Sequence, residues 1–143
     1  MTVMHFIIFM LLFLGLDIAL NLLTKKLIKF LGIDFLFLAS WLAGINYGII
    51  PGIVVATVLL AEHSLLHPSK SQFILFSFPA QLIAVLLGYF LGMNGFGISL
   101  VAYQIVNTGI MFATGGFGPL FVAFLVVNSL FNVIIYRVLL AVG

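Results

Sequence analysis

The chain is a succession of apolar runs separated by short polar or glycine-rich breaks. The first run covers residues 3–23 and ends at the basic cluster Lys25, Lys26 and Lys29. A helix needs about 20 apolar residues to cross the hydrocarbon core of a bilayer, which is about 30 Å thick. The first run therefore predicts a membrane-spanning helix over residues 3–23.

The next apolar run, residues 35–66, is interrupted near its middle by the stretch GINYGIIPGI at residues 44–53. The run is too long for one span and short for two. Pro51 pushes the residue before it out of the helical region, whereas Pro51 itself suits a first helical turn. The glycines of the stretch permit a sharp reversal. We predict a tight helical hairpin with helices over 35–46 and 50–65. The alternative is a single long helix that is kinked at the proline.

The second half of the chain begins with its most polar stretch, EHSLLHPSKSQ at residues 62–72, which predicts a surface loop. Apolar runs then predict helices over 73–91, 98–113 and 120–140, and the glycine-rich turns GMNGFG and TGGFGP separate these runs. The predicted fold class is all-α. The chain would form a single transmembrane domain over residues 1–143, built as a bundle of six short membrane-spanning helices.

The composition agrees with this pattern. Apolar residues make up 65% of the chain, charged residues 6%, and the mean hydropathy is +1.43. A soluble domain carries about a quarter charged residues, and the few charges here do not cover a water-facing surface. The composition therefore predicts a multi-pass integral membrane protein that is surrounded by lipid.

Several functional classes are poorly supported by the residues present. The chain has no cysteine, which excludes a disulfide and a thiolate metal site. Five lysines and arginines do not form the basic surface that nucleic acid requires. We find no Ser-His-Asp set, no nucleophile elbow and no phosphate-cradling loop, so we expect neither an enzyme nor a cofactor.

The few basic residues suggest an orientation in the membrane. Lys25, Lys26 and Lys29 lie between predicted helices one and two, and Lys70 lies between helices three and four. Arg137 alone lies on the opposite side. Cytoplasmic loops carry an excess of Lys and Arg, so this distribution predicts that both termini lie outside the cytoplasm.

Polar residues recur within the predicted spans at helical spacing. Asp17 and Asn21 are four residues apart in helix one, and residues at this spacing share one helix face. A carboxylate in hydrocarbon is costly and by default indicates function. The alternative is that the amides hold helices together through hydrogen bonds. The candidate substrate-binding residues are Asp17, Asn21, Trp41, Gln81, Tyr103, Gln104, Asn107, Asn128 and Asn132.

His63 and His67 are four residues apart, a spacing that can bind a metal ion if helix three continues that far. Glu62 precedes both histidines, so the order differs from the H-E-x-x-H pattern of zinc proteases. No metal site is predicted, and these two histidines are the candidate ligands should one exist.

One segment resembles a known family. The stretch FLFLASWLAGINYGIIPGIVVATVLL at residues 35–60 resembles the second and third helices of S components, the substrate-binding subunits of energy-coupling factor (ECF) transporters. Six short helices in a small chain match as well. MreD-type membrane proteins are similar in topology. The resemblance implies a prokaryotic inner or plasma membrane, and S components typically keep their termini in the cytoplasm, contrary to the charge distribution above.

The leading hypothesis is an S-component-like subunit that binds a small solute for uptake. Its pocket would lie between helices one, four, five and six. Asp17 would set the charge, the asparagines of helices five and six would supply hydrogen bonds, and Trp41 or Tyr103 would offer an aromatic wall. The resemblance implies a second membrane subunit and ATPases as partners. The alternative is a non-transporting membrane scaffold of MreD-like topology, in which the polar groups pair with one another.

Overall fold

The computed structural model describes residues 2–27 and 32–143, with side chains for residues 2–24 and 32–143. Lys29, and the side chains of Lys25 and Lys26, lie outside the described part of the chain. All regular structure in the described part is helical, which confirms the predicted all-α class. The helices are α1 (Val3–Leu27), α2 (Leu36–Tyr47), α3 (Ile49–Leu66), α4 (Ser71–Phe76), α5 (Phe78–Leu91), α6 (Phe96–Thr114) and α7 (Pro119–Val142).

Four described segments are long and apolar enough to cross a membrane: Val3–Thr24, Ile49–Leu66, Met93–Thr114 and Pro119–Val142. A fifth candidate is the bent pair Pro68–Phe76 and Phe78–Leu91. These segments are compatible with the predicted multi-pass membrane protein. Large apolar side chains on the outer faces of α1, α6 and α7 are exposed, as expected for surfaces that face lipid.

The helix predicted over residues 73–91 differs from the observed structure. The chain forms α4 and α5, which are separated at Ser77 and bent by 49°. Pro79 lies in the first turn of α5, where it lacks the N–H that would continue a helix from α4. At the break, the Ser77 hydroxyl donates a hydrogen bond to the Ile74 carbonyl at 2.6 Å.

The surface loop predicted over residues 62–72 was partly wrong. Glu62 and His63 belong to α3, which continues to Leu66, and a short 3-10 turn covers Pro68–Lys70. The polar character of this stretch suggested solvent, but His63 is buried against α1. Pro68 then prevents the helix from continuing.

Helices α1, α2 and α3 contact one another near both ends of α2. Gly48, between α2 and α3, has a φ of 94°, a conformation that favours glycine. Near this break, the Tyr47 hydroxyl donates a hydrogen bond to the backbone carbonyl of His5 at 3.2 Å. At the far ends, the Phe35 backbone and the His63 ring both contact the carboxylate of Asp17.

The centre of the fold is α2. Every residue from Leu36 to Gly44 is buried, yet twelve residues of helix extend only about 18 Å. A Cβ at Gly44 would lie 2.3 Å from the Val85 carbonyl oxygen of α5, and one at Gly88 would lie 2.3 Å from that of Trp41. Small residues thus allow α2 and α5 to approach closely.

Candidate functional site

Two groups of polar side chains lie inside the bundle, and a cavity lies beside one of them. We call Asp17, Glu62 and His63 the acid–histidine cluster, and Gln104, Asn128 and Asn132 the amide cluster. The first joins α1 to α3, and the second joins α6 to α7.

The acid–histidine cluster brings three potential metal-ligand atoms within 4.8 Å of one another. Asp17 is fully buried and His63 is 3% exposed. One carboxylate oxygen of Asp17, Oδ1, accepts the Phe35 backbone N–H at 2.7 Å. The other, Oδ2, lies 3.3 Å from Nδ1 of His63. Both helices therefore direct ionisable groups into a site from which water is largely excluded.

Asn21 and His67 border this cluster. The Asn21 amide donates to the backbone oxygen and to Oδ2 of Asp17, both at 2.9 Å. Its own oxygen lies 3.0 Å from Nε2 of His67. The rings of His63 and His67 are 4.8 Å apart. Of the two predicted candidate ligands, only His63 lies with the acids, whereas His67 contacts the amide that positions Asp17.

Asp34 lines the cavity and lies near the cluster. Its side chain is 2% exposed, and its carboxylate accepts the Leu36 backbone N–H at 3.1 Å at the start of α2. The pKa of Asp34 is raised to about 6, chiefly by burial; the charge of His63 opposes the shift, and the nearby Asp17 carboxylate adds to it. Asp34 can therefore gain or lose a proton near pH 6.

The cavity has a volume of about 250 Å³ and a mostly apolar wall. Its aromatic surface comes from Phe73, Phe121 and Phe124. Its polar groups belong to Asp34, His63, Lys70, Ser77, Tyr103 and Asn107. Apolar walls with a few convergent polar groups are typical of small-molecule sites, and this volume suits a compact solute.

Two of the polar residues at the cavity come from neighbouring turns of α6. Tyr103 is 1% exposed, and its hydroxyl accepts a hydrogen bond from the Gln81 amide at 3.1 Å. Asn107 is 2% exposed, and its side chain lies near the Tyr103 hydroxyl, but its amide nitrogen has no acceptor at hydrogen-bond geometry among the described residues. A buried donor without an acceptor is costly, so a bound solute that supplies an acceptor would be stabilised here.

The amide cluster is bonded mainly within itself. The Gln104 amide donates to Oδ1 of Asn128 at 2.8 Å and to Ser129 Oγ at 3.2 Å. Asn132 donates to the backbone oxygen of Asn128 at 2.8 Å. Asn128 in turn donates to the Gly32 carbonyl at 3.0 Å. These bonds connect α6, α7 and the segment before α2.

The nine predicted substrate-binding residues are distributed over several places. Tyr103 and Asn107 line the cavity. Asp17 and Asn21 lie at the acid–histidine cluster. Trp41 is fully buried in the core, where its indole N–H donates to Ser99 Oγ at 3.1 Å. The remaining members are Gln81, bonded to Tyr103, and the amide-cluster residues Gln104, Asn128 and Asn132.

Neither the position of Asp34 at the cavity nor the contact of Glu62 and His63 with Asp17 was predicted from the sequence. One signal was available. Asp17 and His63 follow the first residues of α1 and α3, Val3 and Ile49, by the same number of residues. Two helices that start at the same end of a bundle therefore place these side chains at the same depth, because helical rise per residue is constant.

Comparison with known proteins found no family model, no curated protein and no solved structure that matches this chain. The resemblance to S components and to MreD-type proteins therefore stays a prediction.

Proposed function

We propose that this protein is a membrane-embedded subunit that binds a small solute for uptake and works with separate energising partners. The solute would occupy the cavity beside Asp34, His63, Tyr103 and Asn107. The observation that carries this proposal is the buried amide nitrogen of Asn107, which lines the cavity and has no acceptor in the described part of the chain.

The cavity wall suggests the class of solute. A largely apolar, aromatic surface favours a compact molecule with an apolar body. Asn107 would donate to a carbonyl or carboxylate oxygen of the solute, and Asp34 would accept from an amine or a hydroxyl group. Lys70 also lines the cavity and offers a positive charge to an acidic group. These groups together favour a solute that carries both donors and acceptors.

The topology that we propose has six passes, with the chain reversing at Gly48 near one membrane surface. Its support is that both Phe35 and His63, at the outer ends of α2 and α3, contact Asp17. The short helix α2 would avoid lipid because the surrounding helices cover it. By the positive-inside argument, the end of the bundle that carries Lys70 would face the cytoplasm, and partners would dock there: a second membrane subunit and ATPases.

The topology can be tested with single cysteines, because the chain has none of its own. Asn46 and Ser69 are both exposed and lie at opposite ends of α3. We expect a membrane-impermeant thiol reagent to label Asn46→Cys from outside the cell and Ser69→Cys only after the membrane is opened. Labelling of both from the same side would contradict the proposal.

Solute binding can be tested by extracting the purified protein and analysing the released small molecules by mass spectrometry. The wild-type protein should retain a compound that Asn107→Leu retains less well. Loss of one hydrogen bond that leaves a solute group unpaired costs about 1–3 kcal/mol, or roughly 5- to 150-fold in affinity. Ile105→Leu is the matched control, since Ile105 lies on the same helix and is exposed toward lipid.

A scaffold function is the second candidate, and the amide cluster favours it because its members bond to one another. A scaffold would retain no small molecule, and Asn107→Leu would not differ from Ile105→Leu. Co-purification of other membrane proteins with no solute would favour the scaffold over the transport subunit.

A further inference from the structure

We propose that the acid–histidine cluster binds one divalent transition-metal ion, with Asp17, Glu62 and His63 as its protein ligands. This site adjoins the solute cavity, because His63 also lines that cavity. The proposal does not depend on solute uptake, because it rests on the three side chains alone.

The types of ligand determine the class of metal. An imidazole nitrogen with two carboxylates suits the Mn²⁺-to-Zn²⁺ series, whereas Mg²⁺ and Ca²⁺ favour sites made of oxygen ligands only. The chain has no cysteine, and no sulfur belongs to the cluster, so the soft ion Cu⁺ is disfavoured. Zn²⁺ and its spectroscopic substitute Co²⁺ match this ligand set.

The spacing of the ligand atoms supports the assignment. His63 Nδ1 and Asp17 Oδ2 are 3.3 Å apart. Two ligands at about 2.0–2.1 Å from a tetrahedral ion lie about 3.3–3.4 Å apart. The full set of three ligand atoms lies within 4.8 Å, so Glu62 reaches the ion with a side-chain adjustment.

Glu62 provides the second observation. Both of its carboxylate oxygens are buried, and neither receives a hydrogen bond from the residues that the structure describes. The carboxylate lies beside that of Asp17. Two adjacent carboxylates away from water repel each other unless a cation or a shared proton lies between them. His63 contacts Asp17, and a bound ion would take the place of the proton that Asp17 and Glu62 otherwise share.

The surroundings supply the support that metal sites need. Asn21 and the Phe35 backbone N–H fix the orientation of Asp17 through hydrogen bonds of 2.9 Å and 2.7 Å. Such outer partners orient metal ligands and raise affinity. His63 also lines the cavity, so an ion that enters the cavity reaches the cluster without crossing the apolar core.

The experiment uses the full chain, purified in lipid nanodiscs and stripped of metal with a chelator. Co²⁺ is titrated while its visible absorption is recorded, and Zn²⁺ is then added as a competitor. We expect about one Co²⁺ per chain with the absorption bands of a nitrogen- and oxygen-ligated ion, displaced by Zn²⁺. Loss of an outer partner costs 10- to 100-fold in metal affinity, so Glu62→Gln and His63→Gln, which remove ligands, should each cost at least about 100-fold.

His5→Gln is the control. It removes an exposed imidazole near the opposite end of α1, away from the cluster, and it should bind Co²⁺ with nearly wild-type affinity. Histidine-selective ¹⁵N NMR of the wild-type protein provides a measurement that does not depend on a variant folding: Zn²⁺ should shift the His63 ring signals and leave those of His5 unchanged.

Two results would overturn the proposal. Absence of Co²⁺ and Zn²⁺ binding by the wild-type protein would show that a shared proton, and not a metal ion, separates the two carboxylates. Equal affinity of Glu62→Gln, His63→Gln and the wild type would place any bound ion elsewhere. Solute retention is measured with the chelator present and metal binding after solute removal, so the failure of one function is distinguishable from the failure of the other.

Discussion

The acid–histidine cluster and the amide cluster are both buried, and both join helices that are distant in sequence, but they differ in what their members offer one another. In the amide cluster, neutral donors meet neutral acceptors, as in the 2.8 Å bond from Gln104 to Asn128. In the acid–histidine cluster, Glu62 lies beside a second carboxylate and receives no hydrogen bond in the described ranges. Neutral amides that bond to one another hold helices together, although Gln104 Oε1 and Asn132 Oδ1 receive no hydrogen bond in the described part of the chain. Two adjacent buried carboxylates need a cation or a shared proton between them.

The largest effect is expected where the charged cluster is broken. Asp17→Ala removes the acceptor of the Phe35 N–H and the partner of His63. Removing one member of a buried charged pair destabilises a protein by about 3–5 kcal/mol, because the other member remains buried and unpaired. Reversible unfolding of the purified protein in mixed micelles measures this loss in the free energy of unfolding.

Leu16→Ala is the control for Asp17→Ala. Leu16 precedes Asp17 on α1 and is 42% exposed, so its truncation removes little packing inside the bundle. A loss of stability in Leu16→Ala as large as that in Asp17→Ala would show that the damage comes from α1 itself and not from the charged contacts.

A smaller effect is expected when the amide cluster is opened. Asn128→Leu removes the acceptor of Gln104 and the donor to the Gly32 carbonyl. Hydrogen bonds between helices in membranes contribute about 1–2 kcal/mol in model peptides, and we expect a loss of that size in the same unfolding assay. Co²⁺ affinity and solute retention should remain unchanged, because Asn128 contacts neither site.

Val126→Leu is the control for Asn128→Leu, since Val126 lies on α7 and is 55% exposed. Reduced solute retention in Asn128→Leu at an unchanged unfolding free energy would contradict the division between the two regions. The amide cluster would then belong to the solute site, as the sequence analysis predicted.

The sequence predicted the positions of the helices better than the contacts between them. Apolar runs and glycine-rich breaks are local signals, and they indicated an all-helical membrane protein. The break at Ser77 was missed because the proline that follows it fits a helix start as well as a kink. The polar residues Glu62 and His63 were assigned to a loop because polarity alone does not distinguish a solvated side chain from one that faces another buried charge.

The pocket was the least predictable feature. Four-residue spacing shows that Asn128 and Asn132 share a face of α7, but it does not show which helix that face contacts. The segment before α2, through Gly32, occupies that position and accepts the Asn128 amide. The cavity instead depends on the bend between α4 and α5 and on phenylalanines such as Phe73 and Phe124, which in an apolar sequence look like any other lipid-facing residue.

The smallest effect on the free energy of unfolding is expected at Asn132. Asn128 donates a hydrogen bond to another segment of the chain, whereas Asn132 bonds only within its own helix. Asn132 donates only to the backbone and side chain of Asn128, one turn earlier on its own helix. Replacing it with leucine removes no bond between helices, so the loss should stay below the average of about 0.6 kcal/mol for hydrogen bonds between membrane helices. Leucine also removes Oδ1, which is buried and has no donor within the described part of the chain, and this partly offsets the loss.

We therefore expect the free energy of unfolding of Asn132→Leu to lie within about 0.6 kcal/mol of the wild-type value, whereas Asn128→Leu loses more. A loss at Asn132 as large as that at Asn128 would contradict this expectation, and it would mean that both amides bind a common partner across the interface.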